Sequence, residues 1–350
     1  MSPYMLATLL FGLGLGTTIT FASSHWLLAW IGLEINTLAI IPLMAQRYHP
    51  RAVEATLKYF LVQATAASTL MFATTTNAWL SGQWDIQQMS HPLSITMVTL
   101  ALALKIGLAP MHAWLPEVLQ GLDLTTGLIL STWQKLAPMA LLLQIHHDNS
   151  QVLIVLGLTS TLVGGWSGLN QTQLRKILAY SSVAHLGWMI MVLQFSPPLT
   201  ILTLLTYFIM TVSTFLVFKL NKSTTINALA TSWAKAPALT ALAPLVLLSL
   251  GGLPPLTGFM PKWLIIQELT MQNLAPVATL AAFTALLSLY FYLRLTYAMT
   301  LTISPNNSPG TLPWRLPTMQ TTLLLTTATV ASLSLLPLTP AAKALAALMT

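Results

Sequence analysis

The chain has 350 residues, of which 55% are apolar, 6% are charged and none is cysteine, and its formal net charge is +7. So small a charged fraction excludes an ordinary soluble domain, and the high apolar content excludes intrinsic disorder. Without cysteine the chain has no disulfide, thiol nucleophile or iron–sulfur cluster. Its lysines and arginines are scattered rather than gathered in a patch interleaved with aromatic residues, so we expect no nucleic-acid partner. The composition indicates a membrane protein.

Long uncharged runs separated by polar breaks divide the chain into about eleven predicted transmembrane helices, because a bilayer core ~30 Å thick requires about 20 apolar residues. The first run contains Gly12 and Gly16, spaced for close contact with another helix. We expect this run to be a retained helix rather than a signal peptide. The predicted spans are 3–23, 26–45, 59–80, 93–115, 124–145, 152–169, 177–194, 199–218, 238–270, 274–301 and 318–345.

The distribution of lysine and arginine supports this division, because these residues collect in loops on the side from which a membrane protein inserts. Ten of them lie in or beside loops that follow even-numbered spans, and loops after odd-numbered spans hold none. We therefore predict that the N-terminus lies on the same side as the positive loops. The ten residues are Arg47, Arg51, Lys58, Arg175, Lys176, Lys219, Lys222, Lys235, Arg294 and Arg315.

Two stretches rich in glycine and proline resemble each other. Residues 107–116 in predicted span four align with residues 252–261 in predicted span nine, with a glycine, the leucine after it and two prolines matching. Such a pair points to broken helices in matching halves, and a step of five spans makes the two copies cross the membrane in opposite directions. The sequence thus predicts an all-α polytopic membrane protein with two inverted five-helix repeats, 1–150 and 151–301, and a C-terminal helix at 318–345. Two ordinary proline kinks are the alternative. The predicted helix breaks are Pro110, Pro138, Pro254, Pro255 and Pro261.

The ionisable residues Glu34, Lys105, Lys135 and Lys262 lie inside predicted spans. One ionisable residue at the middle of a membrane helix costs roughly 2.5–3.5 kcal/mol on insertion scales. Each lysine lies next to a predicted break, where carbonyls freed by proline could solvate an ammonium. The four residues therefore predict a path for protons, in which a carboxylate that approaches or retreats controls a lysine. Buried ion pairs that only fix helix packing are the alternative.

Two histidines also fall inside predicted spans. His112 lies in the broken stretch of span four and His185 in span seven. Each is as well explained by a proton relay as by a hydrogen-bonded packing histidine, because imidazole titrates near neutral pH. No H-E-x-x-H motif or paired acidic cluster is present, so we expect no bound metal.

Several stretches resemble the chain 2 family of the antiporter-like membrane-arm subunits of NADH:ubiquinone oxidoreductase, respiratory complex I. They are residues 30–36, 104–117, 133–138, 179–187 and 252–262. The stretch 104–117 is also similar to cation/proton antiporters related to that complex. The resemblance extends over the whole chain.

The resemblance implies two inverted five-helix bundles that conduct protons through half-channels joined by a central hydrophilic axis. Glu34 then corresponds to the acid that modulates a lysine, Lys105 to the lysine of the first broken helix, Lys135 to the connecting lysine and Lys262 to the lysine of the second broken helix. The chain would be a non-redox subunit of an H⁺-translocating enzyme. NADH, FMN, iron–sulfur clusters and ubiquinone would bind other parts of the complex, and this chain would hold no cofactor.

The resemblance also implies the mitochondrial inner membrane, with the N-terminus and positive loops in the matrix. Expected partners are phospholipids and other membrane-arm subunits, including neighbouring antiporter-like ones. Two alternatives stay open at this point. A stand-alone Na⁺/K⁺ to H⁺ antiporter should hold more than one carboxylate within the membrane, and an assembly scaffold would use its buried charges only for packing.

Overall fold

The computed structural model describes residues 2–46, 49–145, 150–234, 237–302 and 322–348, and the regular structure of these ranges is helical apart from two isolated β-bridges. Two short 3₁₀ turns, Thr231–Ala234 and Leu336–Leu338, accompany the α-helices. The α-helices are α1 Pro3–Ala22, α2 Trp26–Met44, α3 Pro50–Ser81, α4 Pro92–Ile106, α5 Trp114–Gly121, α6 Leu124–Ser131, α7 Trp133–Gln144, α8 Ser150–Gly168, α9 Leu174–Val192, α10 Pro197–Leu220, α11 Ile226–Ala230, α12 Pro237–Gly251, α13 Phe259–Met271, α14 Ala275–Thr300, α15 Leu323–Ser334 and α16 Thr339–Leu348.

The chain forms two compact units, Met1–Leu156 and Gly157–Thr350. In the first unit α7 packs against α1, α2 and α4, while α3 packs against α2, α4 and α5. In the second unit α10 is central, in contact with α9, α12, α13, α15 and α16, and α14 packs against α9, α11, α12 and α13. Each unit therefore encloses its own broken helix, α4–α5 in the first and α12–α13 in the second.

Close glycine contacts bring the first two helices of each unit together. A Cβ added to Gly16 of α1 would lie 2.8 Å from the carbonyl oxygen of Gly32 on α2, and one added to Gly157 of α8 would lie 2.9 Å from that of Gly187 on α9. Small residues permit such approach in membrane proteins. The sequence prediction for Gly16 is confirmed. Gly12 makes a looser contact, since its added Cβ would lie 3.4 Å from Ala39.

A matching backbone bridge joins two loops within each unit. In the first unit Trp26 N–H donates to Trp84 O and Ile86 N–H donates to Ser24 O. In the second unit the same pattern links residues 172–174 to residues 224–226, with Leu174 N–H donating to Thr224 O. Each bridge thus fixes the loop before the second long helix of its unit to the loop after the third.

Length and apolar composition qualify five of the described helices as membrane spans: α1, α2, α8, α10 and α14. Predicted span three begins earlier than expected, because α3 starts at Pro50 and includes Lys58. Predicted spans four, five and nine are each divided between two helices, α4–α5, α6–α7 and α12–α13. The count of eleven spans stays a prediction.

Glycines, rather than prolines, end the first helix of the α4–α5 and α12–α13 pairs. Gly107 and Gly252 follow α4 and α12 with φ values of 88° and 80°, in the left-handed region that glycine occupies without steric cost. The N–H of the next residue then donates back to the carbonyl five residues earlier, from Leu108 to Ala103 and from Leu253 to Leu248. This is the Schellman pattern. Pro110, Pro254 and Pro255 lie in the non-helical stretches that follow, as predicted.

Two predicted proline breaks are wrong. Pro138 lies inside α7, and the break between α6 and α7 falls at Thr132. A proline ring displaces the carbonyl four residues earlier, here that of Gln134, so the disturbance falls on the N-terminal side. Pro261 is the third residue of α13, where a missing N–H costs little because the first turn has no intrahelical acceptor.

The C-terminal helix was predicted as one span over 318–345. The described part is instead two helices, with a bend of 69° between residues 323–334 and 336–345. Pro337 and Pro340 lie at this bend and interrupt the helical hydrogen bonds. Residues 318–321 lie outside the described residues, as do Arg47, Lys235 and Arg315.

Candidate functional site

Lys105 occupies the last turn of α4, beside the first helix break, and is 5% exposed. Its Nζ has no hydrogen-bond partner among the described residues. The carbonyls near the break are taken by other donors. Trp114 Nε1 donates to Leu104 O at 3.1 Å, and Gln63 Nε2 donates to Lys105 O at 3.3 Å. The carbonyl predicted to be freed at this break is that of Ile106, and no described carbonyl accepts from Lys105 Nζ.

Lys135 shares a cavity with Lys105. It lies in the first turn of α7, immediately after the break at Thr132, and is 2% exposed. Both lysines line a cavity with a volume of about 20 Å³. That volume is sufficient for about one water. The structure thus brings two of the predicted lysines from different helices to one small chamber.

The wall of this chamber mixes polar and apolar side chains from α2, α3, α4, α5, α6 and α7. Its polar side chains can both donate and accept hydrogen bonds, whereas a protonated lysine can only donate. Gln134 Nε2 also donates to Asn36 O at 3.3 Å, which ties α7 to α2. The polar lining residues besides the lysines are Asn36, Thr37, Tyr59, Gln63 and Gln134.

Glu34 lies beside this chamber without touching Lys105. It is half-buried on α2, and the Thr37 hydroxyl lies 3.2 Å from its Oε2, within donating distance. No salt bridge within 4 Å joins Glu34 to Lys105 in the described parts of the chain. Thr37 is therefore the contact between the carboxylate and the chamber wall.

The structure separates His112 from the lining of the chamber. This residue lies in the connection between α4 and α5, half-buried, with its Nδ1 at 3.3 Å from Pro110 O. The residues that line the chamber come from the ends of the connection instead, namely Lys105 and Ile106 before it and Trp114 and Leu115 after it.

Lys262 occupies the first turn of α13 in the second unit and is 9% exposed. Its Nζ donates to Gly251 O, at the end of α12, at 2.8 Å. This contact provides the ammonium with a carbonyl acceptor at the break. Lys262 also borders a largely apolar pocket of about 360 Å³, with Trp188, Gly252 and Trp263 among its other lining residues.

His185 is buried on α9, and its ring lies 5.6 Å from that of Tyr207 on α10, centroid to centroid. It has hydrogen-bonding or electrostatic contacts of its own, and it does not line the pocket beside Lys262. The structure therefore places His185 in the α9–α10 contact.

Charges at the N-terminal end of α3 form a separate, exposed cluster. Lys58 Nζ lies 2.8 Å from both Glu54 Oε1 and Glu117 Oε2. The hydrogen bond and charge of Lys58 hold the pKa of Glu54 below its ordinary value. Exposed ion pairs contribute little to stability, so this cluster offers a reference for charges outside the chamber.

Sequence reasoning assigned no role to the amide residues Asn36, Gln63 and Gln134. All three are polar side chains in otherwise apolar spans, where an unsatisfied polar group is costly. That cost is a signal that a sequence contains, although it is smaller than the cost of inserting a charged residue.

Family comparisons agree with this architecture. Residues 23–288 match the family described as NADH:quinone oxidoreductase/Mrp antiporter, TM, and residues 289–342 match NADH dehydrogenase subunit 2 C-terminus. Among solved structures, a chain of respiratory complex I from Thermus thermophilus with bound aureothin gives a TM-score of 0.84 at 29% identity, covering 96% of this chain and 78% of that one. The fold is that of the antiporter-like membrane subunits.

Curated relatives specify the family further. NADH-ubiquinone oxidoreductase chain 2 of Tetraodon nigroviridis is 75% identical over 97% of this chain and 98% of its own length. The protein of the same name from Salmo salar is 70% identical over the same shares of the two chains. This chain belongs to the NADH-ubiquinone oxidoreductase chain 2 family. A chain of the Mrp complex from Dietzia has the same fold, with a TM-score of 0.79 at 16% identity over 96% of this chain and 75% of that one.

Proposed function

We propose that this chain carries protons across a membrane as a non-redox subunit of NADH:ubiquinone oxidoreductase. The observation that supports this proposal most directly is the chamber shared by Lys105 and Lys135. An ammonium retained only to fix helix packing should have an ion-pair or hydrogen-bond partner. Lys105 Nζ has none among the described residues but faces a space that fits a water.

In the proposed cycle, Glu34 controls whether Lys105 holds its proton. Movement of the carboxylate towards Lys105 stabilises the ammonium, and movement away releases a proton through the chamber to Lys135. Two unit charges about 8 Å apart interact by about 2 kcal/mol at an effective dielectric constant of about 20. Moving one charge against 100 mV requires about 2.3 kcal/mol. A shift of one carboxylate therefore has the magnitude that the transfer needs.

Lys262 is proposed to exchange protons with the far compartment. Its bond to Gly251 O gives the ammonium one acceptor at the break, and the neighbouring pocket offers space beside it. His185 is proposed as a relay within the second unit. His112 is proposed as a relay near the first break, outside the residues that line the chamber.

We infer that the two units are copies of one five-span element. Support comes from features that occur once in each unit: a left-handed glycine before the broken stretch, a glycine contact between the first two long helices, and a bridge between equivalent loops. We also propose that the two copies cross the membrane in opposite directions, because five spans, an odd number, separate them.

The proposal extends to surroundings and cofactors. We infer a location in the mitochondrial inner membrane, with the N-terminus and positive loops in the matrix, and contacts with phospholipids and neighbouring antiporter-like subunits. Electron transfer, with NADH, FMN, iron–sulfur clusters and ubiquinone, is assigned to other subunits. This chain is proposed to hold no redox cofactor.

The test replaces Lys105 in the assembled complex. Complexes containing Lys105→Met or Lys58→Met would be reconstituted in liposomes, and protons translocated per NADH oxidised would be measured with a pH-sensitive dye. We expect Lys105→Met to reduce the proton yield and Lys58→Met to leave it unchanged, because Lys58 is an exposed ion-pair partner. An unchanged yield and turnover with Lys105→Met refutes the proposal.

Two further measurements separate the alternatives, one on the assembled complex and one on the chain alone. A scaffold predicts less assembled Lys105→Met complex with a normal proton yield from the remainder. A stand-alone antiporter predicts proton flux that depends on Na⁺ or K⁺ when the chain is present in liposomes without its partners and without NADH.

A further inference from the structure

Asn36 is a deeply buried polar residue of the chamber with no assigned task. It is 2% exposed on α2, two residues after Glu34. Neither Nδ2 nor Oδ1 has a hydrogen-bond partner among the residues that the structure describes. A buried amide without partners is costly, so a retained one calls for a partner such as an ordered water.

The surroundings of Asn36 specify which of its atoms is available. A Cβ added to Gly16 of α1 would lie 2.6 Å from Asn36 Oδ1, so the oxygen faces the close contact between α1 and α2. Nδ2 is then the atom left for the chamber, where it can only donate a hydrogen bond. The backbone of Asn36 is fixed from the other side by Gln134, which donates to Asn36 O next to Lys135.

We propose that Asn36 is a positioning residue, and that its Nδ2 orients the water that passes protons from Lys105 to Lys135. This inference rests on the function proposed above. The water has two lone pairs and two hydrogens. One lone pair accepts from Asn36 Nδ2, the other accepts from the Lys105 ammonium, and a hydrogen points to the neutral Lys135 amine.

The proton transfer is balanced without any further reactant. The Lys105 ammonium breaks one N–H bond and the water forms one O–H bond, while the water breaks its other O–H bond and Lys135 forms one N–H bond. The water is regenerated, and one positive charge has moved from Lys105 to Lys135. Asn36 keeps its protons throughout and acts only by fixing the orientation of the water.

The experiment compares Asn36→Leu with Asn36→Ser in the complete complex. Leucine has the branched shape of asparagine and is larger but cannot donate, whereas serine is smaller but keeps a hydroxyl. We expect Asn36→Leu to lower proton-coupled NADH turnover roughly threefold to tenfold, the effect of one lost hydrogen bond, and Asn36→Ser to retain most of it. If Asn36 only fills space, the order reverses, because serine leaves the larger cavity.

Asn77→Leu is the matched control. Asn77 is 0% exposed on α3 and its Oδ1 also lacks a described partner, but it does not line the chamber. We expect Asn77→Leu to leave the proton yield per complex unchanged. Normal turnover and proton yield in Asn36→Leu overturns the inference, as does a greater loss in Asn36→Ser. Lys105→Met in the same series shows whether the proposed function itself has failed.

Discussion

The hydroxyl of Thr37 lies 3.2 Å from Oε2 of Glu34, one helical turn earlier on α2. This hydroxyl also lies 2.8 Å from the backbone carbonyl of Glu34, so its single hydrogen is shared between two acceptors. Since Thr37 is also part of the chamber wall, it joins the carboxylate to the space that holds the two lysines. A carboxylate that changes position must lengthen this contact.

Thr37→Val should alter coupling without altering the shape of α2, because valine matches threonine closely in volume. A hydrogen bond to a charged group contributes about 1.5–3 kcal/mol, so we expect proton-coupled turnover to change by about tenfold. The control is Thr17→Val on α1, where the hydroxyl bonds only to carbonyls of its own helix. Equal turnover of Thr37→Val and the unmodified complex contradicts this prediction.

Gln63→Leu should destabilise the first unit. It removes the donor to Lys105 O and leaves a carbonyl unpaired at the helix break, which costs about 1–3 kcal/mol. We expect a lower temperature of inactivation for the assembled complex, measured as residual NADH turnover after heating. Thr65→Val, an exposed change on the same helix whose hydroxyl bonds only within α3, should leave this temperature unchanged. Equal temperatures of inactivation for the two variants would contradict the prediction.

Gly16→Ala should separate α1 from α2. The new methyl would lie 2.6 Å from Asn36 Oδ1 and 2.8 Å from Gly32 O, and backbone cannot yield as a flexible side chain does. Overpacking of this kind costs about 1–3 kcal/mol. Gly14→Ala on the same helix meets nothing within 4 Å and should be neutral or slightly stabilising. Heat inactivation of the two complexes compares them directly, and equal stability would contradict the packing argument.

The sequence predicted the helical class, the family and both broken stretches, because each depends on a local signal. Hydrophobic length identifies spans, and a glycine followed by prolines identifies a helix end that cannot resume. The break at Thr132 was not predicted, because no glycine lies there and the predicted break was assigned to Pro138. The carbonyl that Pro138 displaces is that of Gln134, two residues after Thr132, so the proline marks the region of the break but not its exact residue.

The candidate site could be predicted only in part. Charges inside apolar spans identified Lys105 and Lys135 as residues that need polar surroundings, but their meeting in one chamber depends on how α4 packs against α7. The separation of Glu34 from Lys105 by more than salt-bridge distance is also a consequence of tertiary packing. Helix spacing along one chain contains no information on either relationship.

Gly252→Ala tests the second broken helix, with Gly82→Ala as its control. Both glycines have positive φ, 80° and 72°, so alanine should cost each variant about 1 kcal/mol of stability. At Gly252 the added Cβ would also lie 3.1 Å from Lys262 Nζ, whereas at Gly82 it meets nothing within 4 Å. The added Cβ at Gly252 would also lie 3.1 Å from the backbone oxygen of Gly258. We therefore expect Gly252→Ala to lose more thermal stability than Gly82→Ala, and only Gly252→Ala to have a reduced proton yield. Displacement of the ammonium from Gly251 O is the physical reason, because Lys262 then loses its acceptor at the break. Equal proton yields from the two variants would show that the position of Lys262 at this carbonyl does not matter for translocation.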